Sequence, residues 1–304
     1  MITDPMPLGS GKRRAGSALL LVLWALLMLS AAVFAFAKWV QQDIVLHGQA
    51  NREIEARAMA YSGIAIARHP KVSQRTPGLE ESFSGALGYK VRIISEGGRL
   101  NMRWLLEQGD DPRRLTILKQ WLEQRGLNFE EREILADCLL DWVDDDGDAH
   151  RLNGVEAEPD YAPRNAPLES IEEIAQVRGA EALTRTPGWE QDLTLESLGP
   201  IDVTAATPEI LRLVPGLGEA QITRLLQIRR GRDGVDGTAD DNEFKSLADV
   251  ERFLGFNPQQ KQAWAGLVTH QDTTLHIISE GHSGSVYKQV DVVVRKPQIL
   301  SWKE

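Results

Sequence analysis

Residues 17–37, SALLLVLWALLMLSAAVFAFA, hold no charged side chain and follow closely on Lys12, Arg13 and Arg14. As a helix rising about 1.5 Å per residue this run is long enough to cross a hydrocarbon core of roughly 30 Å, and no other stretch of the sequence is. A basic flank stays on the cytoplasmic side of a span, so the chain after Ala37 is expected across the membrane. Three readings of the segment fit: a cleaved secretory signal with Ser30-Ala31-Ala32 as the cut, a plain single-pass anchor, and a leader cut before the apolar run, after Gly16. The residues beyond the run, 38–68, contain no proline and suit a continued helix, a setting into which a cleaved signal rarely leads.

Behind the span there is enough chain for one large or two small domains. A formal charge of −10 argues against bulk attraction to nucleic acid or anionic lipid. Cys138 is the only cysteine, so no intrachain disulfide forms, and its apolar helical surroundings suit a small buried hydrophobe. Neither a nucleophile motif of the Gly-x-Ser-x-Gly kind, nor a phosphate loop, nor a pair of metal-ligand histidines occurs, and the chain is read as non-enzymatic.

Residues 38–68 place Val40, Ile44, Ile54, Ala58, Tyr61 and Ala65 on one heptad face, which extends the membrane helix into water and offers a slim face for packing. Pro70 ends it. A polar linker to Gly85 precedes an alternating strand, Tyr89-Lys-Val-Arg-Ile-Ile94, closed by Gly97-Gly98. Helical patterns then cover 101–108, 112–125, 129–143, 170–178, 208–214, 219–230, 246–254 and 258–268, several opening on a capping residue before proline, as in Asp111-Pro112, Thr207-Pro208 and Asn257-Pro258. Two strands, 274–279 and 285–295, joined through Glu280-Gly-His-Ser-Gly284, form an antiparallel hairpin. One strand before the helical block and two after it predict an α+β fold, a small sheet with a helical domain inserted.

Two acidic loops stand out. In the first, Asp141, Asp144, Asp146, Asp148 and Glu156 crowd within sixteen residues and repel unless an oxygen-preferring cation gathers them; calcium fits best, although the register is not that of an EF-hand. His150 beside it is read as a surface residue. The second loop, with Asp233, Asp236, Asp240 and Asp241 alternating with glycines, suits either a second cation site or a hydrophilic turn. Leu213-Val-Pro-Gly-Leu-Gly218, between 208–212 and 219–230, is helix-hairpin-helix-like (SAM-like). Such a turn can hold a phosphate on backbone amides, so a membrane-tethered DNA-binding protein is the alternative function. Arg224, Arg229, Arg230 and Arg232 lie near, but Glu219 and two acidic loops favour a structural hairpin.

In combination these features resemble the K-type minor pseudopilins of bacterial type II secretion. The resemblance rests on Arg13-Arg14-Ala15-Gly16 before the apolar run, Glu96-Gly-Gly-Arg-Leu-Asn101, Leu139-Leu-Asp-Trp-Val-Asp144, Gly154-Val-Glu156 with Tyr161, Pro167-Leu-Glu-Ser170 through Gly179, and the hairpin at 201–218. It implies a pilin-like fold, with a long N-terminal helix on an antiparallel sheet and a large all-α domain inserted in it. It divides the chain into a leader (1–16), a transmembrane half-helix (17–37), a pilin-domain helix, linker and strand (38–99), the insertion (100–270) and a C-terminal hairpin (271–304). It also implies cleavage by prepilin peptidase after Gly16, N-methylation of Ser17, bound calcium, and an inner-membrane anchor with a periplasmic C-terminal part. The implied partners are the I-type and J-type minor pseudopilins, the major pseudopilin and the inner-membrane assembly platform. Most pseudopilins carry glutamate at the fifth mature residue; Leu21 stands there, as in the K-type subset, and the implied role is a cap at the tip of the pseudopilus.

Overall fold

The computed structural model describes residues 15–304 apart from 73–75, 77–78, 84–85, 108–110, 157, 237 and 239, with backbone alone for 15–17 and 44–46. Residues 1–14 of the expected leader lie outside the described residues, while Gly16 and Ser17 fall in the first turn of α1. That helix, α1 (Ala15–Ala67), is ~80 Å long by its residue count. Among the described residues it is the one helix long and apolar enough to cross a membrane, and Leu21, Trp24, Phe34 and Phe36 stand exposed along it.

Strands β1 (Glu80–Ser82) and β2 (Leu87–Ser95) follow, and β3 (Leu100–Asn101) then opens the helical part. This part contains α2 (Met102–Leu106), α3 (Pro112–Gln124), α4 (Phe129–Val143), α5 (Glu181–Thr184), β4 (Leu193–Thr194), β5 (Ile201–Asp202), α6 (Pro208–Leu211), α7 (Glu219–Arg229), α8 (Leu247–Leu254), α9 (Pro258–Trp264) and β6 (Val268–Thr269). The chain returns through β7 (Thr274–Ser283), β8 (Val286–Arg295) and β9 (Gln298–Lys303). The main sheet has the order β1-β2-β7-β8-β9, antiparallel throughout. Because β2 and β7 are direct neighbours, with Ser95 opposite Leu275, the whole helical part is an insertion between two paired strands.

Two differences from the sequence reading concern the sheet. It has five strands rather than three, and β7 continues through the segment read as a connector, leaving only Gly284 and Ser285 to turn the hairpin. Gly284 takes the positive φ that such a two-residue turn requires. The Gly-Ser composition of 280–284 has another cause: this part of β7 runs directly beneath α1. A side chain on Gly281 would strike the Ala56 carbonyl and the Ala60 amide, and one on Gly63 would strike Ser279 and Val91.

The face α1 turns to the sheet also differs. Ala56, Ala60, Gly63, Ile64 and Ala67 are buried, a heptad stripe of small residues, whereas Ile54, Ala58 and Ala65 of the expected face are exposed and Tyr61 is half-buried. Close approach of helix to strand selects the smallest side chains and overrides the larger apolar ones. Below this stripe lie Tyr89, Val91, Ile93, Ile277, Val290, Val292 and Val294. The inserted domain has its own core around Leu118, Trp121, Leu139, Ile210 and Trp264.

The junction between the two cores is polar. Asp202 Oδ2 accepts from the Asp272 amide at 3.0 Å, Asp272 Oδ2 from Leu198 N at 2.7 Å, and Asp272 Oδ1 from Thr274 N at 2.6 Å. Gly97 packs so closely on both aspartates that it has no room for a Cβ. The Gly97-Gly98 pair therefore does more than end a strand; it lets the entering and leaving chains pass side by side.

Candidate cation sites and comparison with known proteins

Helix α4 starts at a capping box, Asn128 with Glu131, and ends where Asp144 turns extended (ψ 172°). Its last turn presents Asp141 and its C-cap Asp144, so two carboxylates sit where the helix carbonyls already carry partial negative charge. The loop that follows folds back over this end. Asp141 Oδ1 accepts from the His150 amide at 2.7 Å and lies 2.8 Å from His150 Nδ1, and Asp144 Oδ2 faces the same ring nitrogen at 3.0 Å. Gly154 packs against Asp141 and the His150 backbone with no space for a Cβ.

Asp141, Asp144 and His150 form one group of converging ligand atoms, and Asp144, Asp146 and Glu156 another, each set within 4.8 Å. Asp141 Oδ2, Asp144 Oδ1 and Glu156 Oε1 are buried without a hydrogen-bond donor. Burial raises the Asp144 carboxyl to about 6, with Asp146, Glu156 and Asp141 pushing the same way and His150 opposing. Burial likewise raises Glu156, and Asp141 and Asp146 add to it. Carboxylate oxygens without donors, held at a helix C-terminus, fit a hard cation of the calcium type.

Of the five residues singled out in this loop, four fall in these two groups, which share Asp144. Asp148 does not: it is exposed and its amide donates to Asp146 Oδ1 at 2.9 Å. The surface reading of His150 is corrected, since its side chain is only 20% exposed and links Asp141 to Asp144. No local pattern reveals it, because it meets Asp141 through the fold of an irregular loop.

In the metal-free protein, Asp144→Asn is expected to stabilise the fold at pH 7. The wild-type carboxyl titrates near 6 when folded and near 3.8 in its ordinary state, so ionising it costs stability as pH rises through that interval. The gain, about 3 kcal/mol at most, shrinks as pH falls from 6 to 4 and is gone below that. Paired thermal melts across this range in chelator check it; a gain independent of pH would contradict it.

The second loop is more exposed and more self-contained. Asp233, Asp240 and Asp241 lie within ligand distance of one another. Asp240 accepts from Thr238 Oγ1 at 2.8 Å and from the amides of Arg232 and Asp233, which hold its carboxyl down to about 2. Asp236 points elsewhere, into ion pairs with Arg229 at 2.8 Å and Arg230 at 3.0 Å.

The hairpin of α6 and α7 directs its charges inward or onto neighbours. Arg212 pairs with Glu219 at 2.7 Å, Arg224 stacks 4.5 Å over Phe253, and Arg229 donates to Ala206 O and Asp236. The Gly218 amide at the start of α7 already donates to Gln221 Oε1 at 3.0 Å. This arrangement lends the DNA-binding alternative no support.

A long helix laid on a small antiparallel sheet, with a helical domain inserted between neighbouring strands, defines a pilin-like fold. Residues 98–186, which contain the first acidic loop, match the family model described as Type II secretion system (T2SS), protein K. Over those residues the chain is similar to that family. A chain of the GspK-GspI-GspJ complex from the type 2 secretion system of enterotoxigenic Escherichia coli shares the fold, with a TM-score of 0.57 at 12% identity, over 88% of this chain and 97% of that one. No curated protein matches the sequence at a significant level.

Proposed function

We propose that this protein is a non-enzymatic minor pseudopilin that caps the periplasmic tip of the type II secretion pseudopilus and helps start its assembly for export of folded proteins. The observation that carries the tip role is where the insertion sits. Ala56 of α1 meets Gly281 near the far end of β7, while the insertion joins at Ser95 and Thr274, beside the C-terminal end of α1. The helical domain thus crowns the pilin body at the end away from the apolar span, where it obstructs stacking of a further subunit above.

In this reading residues 17–37 hold the chain in the inner membrane with the C-terminal part in the periplasm, prepilin peptidase cuts after Gly16, and Ser17 is methylated. The partners are I-type and J-type minor pseudopilins, as in the complex that shares the fold, together with the major pseudopilin and the assembly platform. Calcium is held by Asp141, Asp144, Asp146 and Glu156, and a second ion by Asp233, Asp240 and Asp241. The buried carboxylate oxygens without donors support the first site. The bound ion would neutralise charge that otherwise strains the turn after α4, and His150 orients two of its carboxylates.

A subunit with no neighbour above it needs no carboxylate in the bilayer, where an unpaired one costs at least ~2.5 kcal/mol. Leu21→Glu is therefore expected to leave secretion unimproved in a strain complemented with the variant, and a clear gain in exported protein would count against the cap. The role itself is tested by deleting the chain from its host. Export of folded substrates should stop and return with the wild-type protein, and co-purification with the I-type and J-type subunits should accompany it; undiminished export without the chain overturns the proposal.

A further inference from the structure

Residues 164–166 bring the chain back to the end of α4 and are pinned on both sides of Asn165. Ala166 N donates to Trp142 O at 3.4 Å, and Arg164 pairs with Glu173 at 2.6 Å and with Glu169. Between these anchors Asn165 takes φ 54°, in the left-handed region that few residues other than glycine enter and that the short polar side chain of asparagine tolerates. The residue is exposed, yet its side chain is engaged. Nδ2 donates to Asp146 O at 3.0 Å, and the carboxamide also bonds the Glu156 carboxylate. A backbone carbonyl can only accept, so the amide nitrogen, not Oδ1, is the atom turned to Asp146.

We propose that Asn165 is a positioning residue for the first cation site: by donating to Asp146 and Glu156 it fixes where their carboxylates meet Asp144, without itself touching the ion. The proposal rests on the calcium reading above. Asp146, Glu156 and Asp144 form one converging group, yet Asp146 and Glu156 both lie outside any helix or strand that could set their spacing. Like charges on such a loop spread apart unless something ties their segments together. Asn165 is that tie, and Arg164 and Ala166 hold it in place whether or not an ion is bound. A residue that served only the turn could be glycine, which takes this φ freely but brings no donor. Groups that orient metal-bound ligands are worth about tenfold to a hundredfold in metal affinity.

The full chain in detergent micelles, with glycine amides labelled and metal stripped by chelator, is titrated with calcium chloride. Gly147 and Gly154 report the first loop, and Gly231 and Gly234 the second. In the wild type Gly147 and Gly154 are expected to shift saturably; no shift there removes the calcium reading itself, before any variant is compared. Asn165→Gly keeps the left-handed backbone and loses the donor. It should weaken calcium at Gly147 and Gly154 about tenfold or more, leave the second loop's response unchanged, and melt in chelator close to the wild type. In a Glu156→Gln background the same substitution should weaken binding by only about threefold, because the carboxylate it aims is gone. Unchanged affinity in Asn165→Gly, or a chelator melt that falls in step with affinity, overturns the proposal. A loss as large in Glu156→Gln as in the wild type also overturns it, because Asn165 would then act through its own Oδ1 as a ligand.

Discussion

Replacing Gly281 by valine is expected to cost about 3 kcal/mol or more and to loosen α1 from its sheet. The added Cβ meets backbone, the Ala56 carbonyl and the Ala60 amide, so no side-chain rotation relieves the clash. Either the helix lifts, which separates Ala60, Ile64 and Ala67 from Tyr89, Ile277 and Val292, or β7 shifts and breaks its pairing with β2 and β8. Both routes uncover the sheet core while the inserted domain keeps its own. Thermal melting should then split into two transitions, and hydrogen exchange should rise along residues 56–67 and the sheet but not in α3 and α4. A single unshifted transition in Gly281→Val would show that the helix does not pack as described.

The second large effect concerns calcium. An ion that binds the folded protein alone contributes about 4 kcal/mol when present at a thousand times its dissociation constant. For a protein of this size, removal should lower the melting temperature by roughly 10 °C. The change should centre on the loop after α4, where Asp144, Asp146 and Glu156 converge and repel when the ion leaves. Glu156→Gln together with Asp146→Asn should abolish most of the calcium-dependent shift, whereas Asp148→Asn, whose side chain lies outside the group, should preserve it. Equal melting with calcium and with chelator would remove the ion from the account.

The helical insertion was legible because its starts are written locally: Asp111 before Pro112, Asn128 three residues before Glu131, and Asn257 before Pro258 and Gln260 all form caps. Strands β2 and β8 were legible from alternation, since one face of each meets α1. Strand β9 was not, because Gln298–Lys303 is an edge strand whose residues are half-buried or exposed and so show no clean period. The buried stripe of α1 was misjudged by favouring Ile54 and Ala58. What selects Ala56, Ala60 and Gly63 is the closeness of Gly281, some two hundred residues away in the sequence.

The cation loops were legible as composition but not as geometry. Carboxylate spacing pointed to Asp141, Asp144, Asp146 and Glu156, whereas the part played by His150 depends on how the loop returns to the helix end. In the second loop, Asp236 resembles its neighbours in sequence, yet the guanidinium groups of Arg229 and Arg230 at the end of α7 claim it. Nearby opposite charge decides such cases, and it becomes visible only once α7 is placed.

Mass spectrometry of the N-terminus of the protein isolated from its host membrane tests the central claim most directly. A mature chain that begins at Ser17 and carries an added methyl group is the predicted result. A chain that begins near Lys38, its apolar helix removed, would contradict assignment to the pseudopilins.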